Sequence, residues 1–422
     1  MAGAITPGEQ IRSRRVNQDC IQVHQAMIYD RGGVRRLWQL VDVAEVEWNR
    51  ELDGLSTAQI TVTGEACVAQ ADVLGRIEPR RHELVLFRNG DRVWEGPIVQ
   101  VAWFRDRATL LAHDVLEYLK YTALSKAWPN EDGGGPPLML DRTREILEYE
   151  LTTPYVMSVG TGTATHDVTV PRWESLDPPA NVLPHLEVRS GEVLTRSVTE
   201  AFEMTVFEHV QNLARGGMDY TVIGRKILFW DRKDTIGRTR TLTDNDFYGE
   251  IEIFAAGSDH WSIEHVVAQP SDVPAEYEPE PEAEEGEEEG PDLGTPLAVG
   301  NAGGEDPFYG VWTHITTSEN EEGTSEPTQN ELNSQAGRGL VGRTPVPVEI
   351  RVPSGGGIRP SFDLTIADLI PGAEAPVLAT LNLRRISQMQ RIESVTVTET
   401  SESEEVGVKM VPYGDVTGVD TL

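Results

Sequence analysis

Residues 46–119 limit the fold more tightly than any other part of the chain, because they alternate apolar and polar positions and carry a turn signal at every break. Val46 and Trp48 open one strand, Asp53-Gly54 ends it, and residues 58–63 repeat the alternation. Residues 82–87, Asn89-Gly90 and residues 92–95 spell a hairpin, since Asn-Gly tolerates the positive φ that a tight reversal needs. Gly96-Pro97 is expected to bend the chain into residues 98–104, and Arg105-Asp106 to return it through residues 108–112. Asp114, with Glu117 three residues on, is expected to open a helix carrying Leu116 and Leu119. Upstream, residues 21–29 and 37–48 read as a further hairpin around Arg31-Gly32-Gly33. In its second arm Val41 and Val43 lie on one face but Val46 and Trp48 on the other, so a bulge is expected near Ala44-Glu45. The whole stretch reads as scaffold, without a catalytic constellation.

A Pro/Gly-rich loop over residues 128–137 marks a boundary. Beyond it, Asp141 is expected to cap a helix through Leu151 with Ile146, Leu147 and Leu151 in one stripe, and residues 156–197 carry no readable pattern. Thr205 and Glu208 form a capping box for a helix bearing Phe207, Val210 and Leu213, which Gly216-Gly217 ends. Residues 220–223 and 226–230 make a hairpin about Gly224. After residue 250 strands return, over 261–268, 346–352, 377–385, 388–398 and 406–411, with a helix capped by Thr328 and Glu331 and a turn at Pro371-Gly372. Ile392 and Val395 again fall out of phase, so the first and last regions share a long bulged strand within a meander, the pattern of two related barrels. The expected organisation is an N-terminal arm (1–20), a first β-barrel domain with closing helix (21–127), an α+β region (128–249), and a second β-barrel domain (250–422).

Charge is the second constraint. Between Thr241 and Gly337 there are 24 acidic residues and no lysine or arginine, in a chain whose net charge is −33. Nine glutamates fall between Glu276 and Glu289, among them Glu284, Glu285, Glu287, Glu288 and Glu289, interleaved with proline and glycine. Such a segment repels itself and offers little to bury, so residues 273–296 are expected to form a mobile acidic insertion. It reads either as a solvated, solubilising loop or as an acidic surface tuned to partners or to passing DNA. At 422 residues and 39% hydrophobic, the chain is long enough for two to four domains of roughly 100–200 residues each. Cys20 and Cys67 make no disulfide framework. No apolar run approaches the roughly 18 residues of a membrane span, and none follows Arg12, Arg14 and Arg15 as a signal peptide would require.

Enzymatic chemistry finds little support. Gly337-Arg338-Gly339-Leu340-Val341-Gly342 matches the dinucleotide fingerprint by letter, but a helix is expected before it and Pro345 and Pro347 follow, the reverse of the strand–loop–helix order that receives a pyrophosphate. His260 and His265, with Asp259 and Glu264, are the one local cluster with metal-binding residue types. On a strand the two histidines, five apart, fall on opposite faces. His113 and His209 read as ordinary surface or core groups. Carboxylates are abundant, yet neither opposed environments nor a set separation is legible for a glycosidase pair. Trp38, Trp48, Trp94, Trp103, Trp128, Trp173, Trp230, Trp261 and Trp312 mostly fall in apolar strands, which favours core or interface packing over a glycan platform. No catalytic, cofactor or metal residue is assigned.

The succession Val46-Glu47-Trp48-Asn49-Arg50, Arg81-His82-Glu83-Leu84-Val85-Leu86, Trp94-Glu95-Gly96-Pro97-Ile98 and His113-Asp114-Val115-Leu116-Glu117-Tyr118-Leu119 resembles the start of minor tail proteins of long-tailed actinobacterial phages. The likeness continues in residues 210–217 and 220–230, in Thr241-Leu242-Thr243 with Asp246-Phe247, and in Asp368-Leu369-Ile370-Pro371-Gly372 ahead of residues 384–398. It is weakest over residues 272–337. These proteins are similar in plan to the tail-hub (baseplate hub) proteins that close the distal end of a tail tube. The resemblance implies a β-rich α+β fold with two tail-tube-like barrels, and a homotrimer whose three chains present six barrels to a hexameric tube end. It implies as partners the distal tail protein, the tape-measure protein, and tail fibres or other minor tail proteins. Location would be the virion tail tip, after assembly in the host cytoplasm, with double-stranded DNA passing through unbound. Glu45, Glu47 and Glu51 on the long first strand are the candidates for an acidic channel wall. A wall-carbohydrate adhesin and a tail-associated hydrolase are the competing readings.

Loop-closure entropy changes slowly with length, so replacing residues 273–296 by a short Gly-Ser link is expected to leave folding intact. Soluble yield and thermal midpoint should match the parent; loss of soluble expression would make the insertion structural.

Overall fold

Period-two alternation drives the first third of the chain into seven strands: β1 (His24–Asp30), β2 (Arg36–Gln39), β3 (Val43–Glu51), β4 (Thr57–Thr63), β5 (His82–Arg88), β6 (Asp91–Trp103) and β7 (Arg107–His113). The computed structural model describes residues 23–129, 136–161, 164–195, 197–248, 252–255, 257–268, 299–305, 307–317, 329–340, 343, 348–351, 357–381, 384–413 and 419–421. The arm expected over residues 1–20, Cys20 and the acidic insertion with its five named glutamates lie outside these residues. The seven strands pair antiparallel in the order β3-β4-β7-β6-β5-β1-β2. Asn89 and Gly90 take the positive φ angles expected of them, 52° and 97°, at the β5–β6 reversal. The expected bulge is present, as a register shift between Val43 and Glu45 against β4.

Three expectations need correction here. Gly96-Pro97 does not end a strand: β6 runs through it and changes partner, pairing with β5 up to Pro97 and with β7 from Ile98. Glycine is required at 96 because a Cβ would lie 1.9 Å from the His113 carbonyl oxygen. The arm expected over 37–48 is two strands, broken where Asp42 takes a φ of 52°. Asp114 opens no capping box; its carboxylate accepts from Ser56 N and Leu116 N, and only one helical turn follows, α3 (Glu117–Lys120). Before it come two short helices that the sequence pattern did not reveal, α1 (Gly64–Ala69) and α2 (Ala71–Leu74), the first capped by Thr63.

The middle third mixes two helices with five shorter strands. Helix α4 (Met139–Thr152) buries Ile146, Leu147 and Leu151 as its stripe requires, but its N-cap is Leu138 and Asp141 lies inside the first turn. The stretch without a readable pattern holds an antiparallel ribbon, β8 (Tyr155–Thr161) with β9 (Ala164–Val170), and a short β10 (Leu186–Val188). Helix α5 (Val206–Arg215) carries the full Thr205–Glu208 capping box, and β11 (Met218–Ile223) returns as β12 (Lys226–Asp231). Together these elements bury Leu147, Val210, Tyr220 and Phe229 in a second apolar core.

The last third returns to the first. After β13 (Leu242–Thr243), β14 (Phe247–Tyr248) and β15 (Glu252–Ala255), the chain enters a smaller unit, Phe254–Glu349 with Pro412–Thr417. There β16 (Ile263–Val267) lies between β17 (Val299–Gly303) and β18 (Thr313–Thr317), and α6 (Gln329–Gly339) packs Leu332 and Ala336 on Val266. The chain leaves it through β19 (Val348–Arg351) and continues as β20 (Gly357–Ile358), β21 (Glu374–Leu381), β22 (Arg384–Thr400), β23 (Glu404–Pro412) and β24 (Val419–Thr421). The strand expected over 377–385 is thus β21, three residues earlier and ended by Leu381. The 17-residue β22 pairs with β21 through its first half and with β3 through its second, from Ser394↔Glu51 to Thr400↔Glu45. Ile392 bonds Gly372 and Ala373, whereas the Glu393 carbonyl accepts from Leu52 N, so the two partners occupy opposite edges. Twelve described strands thereby form one β-rich sheet system, which does not close on itself among the described residues. Its core mixes the two ends of the chain: Trp48, Ile60 and Leu110 with Ile392, Val395 and Val397.

Buried polar joints fix these parts together. Trp48 Nε1–H donates to His24 Nε2 at 3.0 Å, so the His24 proton sits on Nδ1 and is donated to Glu399 on β22 at 2.6 Å. Arg225, after β11, bonds Glu83 on β5, lies 3.5 Å from Glu95 on β6 and donates to Ala180 O. Tyr118 and Gly32 N saturate the other Glu83 oxygen at 2.5 and 2.9 Å. Asp219 on β11 receives both Arg232 and Arg391, the latter on β22. Truncating Arg225→Ala leaves Glu83, fully buried, without its cation and is expected to lower unfolding free energy by about 3–5 kcal/mol. Glu83→Gln with Arg225→Met should lose markedly less, since no buried charge is then stranded. Equal denaturant midpoints for Arg225→Ala and the parent would contradict this.

Candidate functional site

Alternation along β3 sends Val46, Trp48 and Arg50 into the core and Glu45, Glu47, Asn49 and Glu51 to the opposite face. Glu47 is exposed; Glu45 and Glu51 are half-buried. The structure therefore brings the three glutamates named from sequence onto one face, Glu45 and Glu47 about 7 Å apart along the strand and Glu51 about 14 Å beyond Glu47, with Asn49 between. Register shows what flanks them. Across to β22, Glu45 faces Thr400, Glu47 faces Thr398, Asn49 faces Thr396 and Glu51 faces Ser394. On the other side Glu45 faces Thr61 and Glu47 faces Gln59 of β4, and these face Thr109 and Leu111 of β7. Each carboxylate is thus bordered by hydroxyls or amides, which avoids like charges directly opposite one another.

The hydroxyl rows are the part that the sequence reading missed. Their signal is present: Ser394, Thr396, Thr398 and Thr400, like Thr57, Gln59, Thr61 and Thr63, repeat at a period of two. The result is a polar sheet face across β22, β3 and β4 that crosses the seam between the two ends of the chain and continues onto β7 and β6, where Leu111 and Ala102 join Thr109 and Gln100. Near its end Asn49 Nδ2 donates to Glu51 at 2.8 Å, and Lys409 pairs with Glu393 at 2.5 Å. Partial burial raises the Glu51 carboxyl, an effect that nearby Lys409 and Asn49 oppose.

Just past this strand, Asp53 takes a φ of 54° and accepts from Tyr220 N at 2.8 Å. Burial, with the neighbouring Asp219 carboxylate, pushes its carboxyl up to about 7. The pair has opposed environments, as an acid–base pair would, but the Asp219 oxygens are occupied by Arg232 and Arg391 and Asp53 anchors β11 to β3. Its role here is a joint.

The other candidates separate. His265 bonds Asn301 at 2.5 Å, His260 bonds the Arg343 carbonyl at 2.7 Å, and Glu264 accepts from His314 and Thr316 on the helix-covered face, so these metal-binding residue types do not converge. Among the described residues no group of three His, Cys, Asp or Glu could hold a metal. Gly337 and Gly339 lie in the last turn of α6, and Val341 and Gly342 lie outside the described residues. His113 bonds Glu117 at 2.8 Å; burial and nearby Arg142 push His209 down to about 4, and it bonds Thr199 at 3.0 Å. Trp48, Trp94, Trp128 and Trp230 are buried, whereas Trp103 and Trp312 are exposed.

Neither a protein-family model nor a curated protein matches the chain. Solved structures do. The 43 kDa tail protein of prophage MuSo2 from Shewanella oneidensis is similar over 92% of this chain and 97% of its own, at a TM-score of 0.52 and 11% identity. The tail protein from Neisseria meningitidis MC58 is similar over the same shares, at a TM-score of 0.51 and 10% identity. The chain therefore has, over nearly its whole length, a fold found in phage tail proteins.

The Asp53 joint yields a pH prediction. Its folded-state value lies above the roughly 3.9 of a free aspartate, so the folded state binds more protons between about pH 4 and pH 7. This carboxyl's contribution to stability is therefore greatest below that window and falls as pH rises through it. The stability difference between parent and Asp53→Asn, read from denaturant midpoints, should shift against the parent from pH 4.5 to pH 7.5; a flat difference contradicts the assignment.

Proposed function

We propose that this chain is the tail-tip hub of a long-tailed phage, of the actinobacterial kind that its sequence resembles. Three copies form a ring, each supplying two tube-like domains, drawn from residues 21–127 and from the β part of 250–422. The α+β region (128–249) sits on the periphery. The observation that carries this reading is the β3–β22 seam: two stretches nearly 350 residues apart join edge to edge with their polar faces continuous. A channel lined by several tube-like domains needs such a junction, because a free strand edge at the lumen would leave backbone groups open to wrong pairing. The polar, glutamate-bearing face is the channel wall, and the buried core lies behind it.

The mechanism is geometric and electrostatic. A duplex must slide past without binding, and each wall lysine or arginine that neutralises a phosphate would strengthen non-specific binding by counterion release. Glu45, Glu47 and Glu51 present the phosphates with a field of their own sign, felt within a Debye length of about 8 Å at physiological salt. The ring would meet the distal tail protein on one side, enclose the end of the tape-measure protein and anchor fibres or other minor tail proteins on the other. One observation favours a direct adhesin role as a second reading: Phe308 and Trp312, four residues apart in the smaller unit, are both exposed. Retention of the chain on host wall glycan, lost in Phe308→Ala with Trp312→Ala, would select it.

Light scattering of the isolated protein should give the mass of three chains, and that trimer should not retard duplex DNA at low salt. Glu45→Lys, Glu47→Lys and Glu51→Lys together should make it retard duplex DNA, with the effect fading steeply as salt rises. A parent that is monomeric both alone and in the assembled particle overturns the ring, and a parent ring that binds duplex overturns the channel wall.

A further inference from the structure

We infer that the apolar face of the β8–β9 ribbon is an interface covered by a second copy of this chain, an inference that rests on the ring proposed above. The ribbon pairs Tyr155 with Val170, Met157 with Val168 and Val159 with His166 on one face, and Val156 with Thr169 and Ser158 with Asp167 on the other. Neither strand has another strand partner among the described residues. A lone two-stranded ribbon is marginal in water, and this one leaves Met157, Val159 and Val168 exposed together on one face, with Val156 the lone exposed apolar side chain among the polar residues of the other. At its base Tyr155 meets the Phe202 ring at 5.4 Å, and Phe202 is itself exposed with a φ of 65°. A bulky residue held in that left-handed region is a local strain of the kind that concentrates at functional surfaces. The apolar strip thus extends from the ribbon onto the body that carries it.

Charge selects the occupant. Copies of a chain with net charge −33 repel one another, so they meet best where carboxylates are absent. Tyr155, Met157, Val159, His166, Val168 and Val170 form such a face, with Asp167 turned to the other side. The same chain offers a counterpart at the β6–β7 turn, where Trp103 and Phe104 are exposed and Arg105 and Arg107 outnumber Asp106. A ring closes through head-to-tail contacts, which require two different patches on each chain, and these two qualify in apolarity and in charge. At about 3.4 Å per residue the ribbon is roughly 23 Å long, so its face covers only part of the roughly 800 Å² per partner that a stable interface buries. It acts as an arm over a larger contact, and its loss should weaken assembly without abolishing it.

The test compares assembly of the full chain by light scattering over a concentration series. Met157→Asp with Val168→Asp should raise the concentration of half-assembly at least tenfold, whereas Val156→Asp, on the opposite face, should leave it unchanged. Unfolding midpoints equal to the parent's establish that both variants fold. A parent that assembles together with a double variant that assembles equally well overturns the inference and leaves the ring standing, as does equal weakening by Val156→Asp. A parent that stays monomeric throughout overturns the ring itself.

Discussion

Everything in the larger unit depends on how β22 spends its backbone hydrogen bonds. An interior strand has two edges, and β22 uses both: β21 occupies one edge of its first half and β3 the other edge of its second, with β24 and β23 as further partners. The crossover falls at Ile392 and Glu393, where consecutive residues bond to opposite sides. The strand therefore welds the last third of the chain to the first, and the two share one core that neither could complete alone. A register slip of one residue would turn Val395 and Val397 out to the glutamate face and Thr396 and Thr398 into the core.

Buried ion pairs and hydrogen bonds reinforce what the strand joins. Arg225, Arg391 and His24 each reach from one region to a buried carboxylate of another. In a low-dielectric interior such groups are costly unless fully partnered, so removing one partner costs far more than the pair itself contributes. The Glu83 carboxylate illustrates the completeness required: Arg225 takes one oxygen, Tyr118 and Gly32 the other.

The strands were legible in the sequence because each carried its own evidence: Asn89-Gly90 for one hairpin, the phase slip at Ala44-Glu45 for the bulge, Thr205 with Glu208 for a helix start. What was not legible depended on distant partners. Gly96-Pro97 looks like a bend in isolation, and only the closeness of the His113 carbonyl shows why glycine stands in an unbroken strand. Asp114 looks like a capping box until Ser56 N claims its carboxylate. The glutamates of β3 could be put on one face by counting twos, whereas their hydroxyl neighbours on β22 required a pairing between residues nearly 350 positions apart. The ion pairs were invisible for the same reason.

The central claim is that this polar face, continuous across the β3–β22 seam, lines the channel of a ring. A reconstruction of the assembled ring at side-chain resolution tests it most directly. The account predicts threefold symmetry, with Glu45, Glu47 and Glu51 and the threonines beside them facing the lumen. A ring in which these residues lie on the outer surface, or in which the lumen wall is neutral or basic, would contradict it.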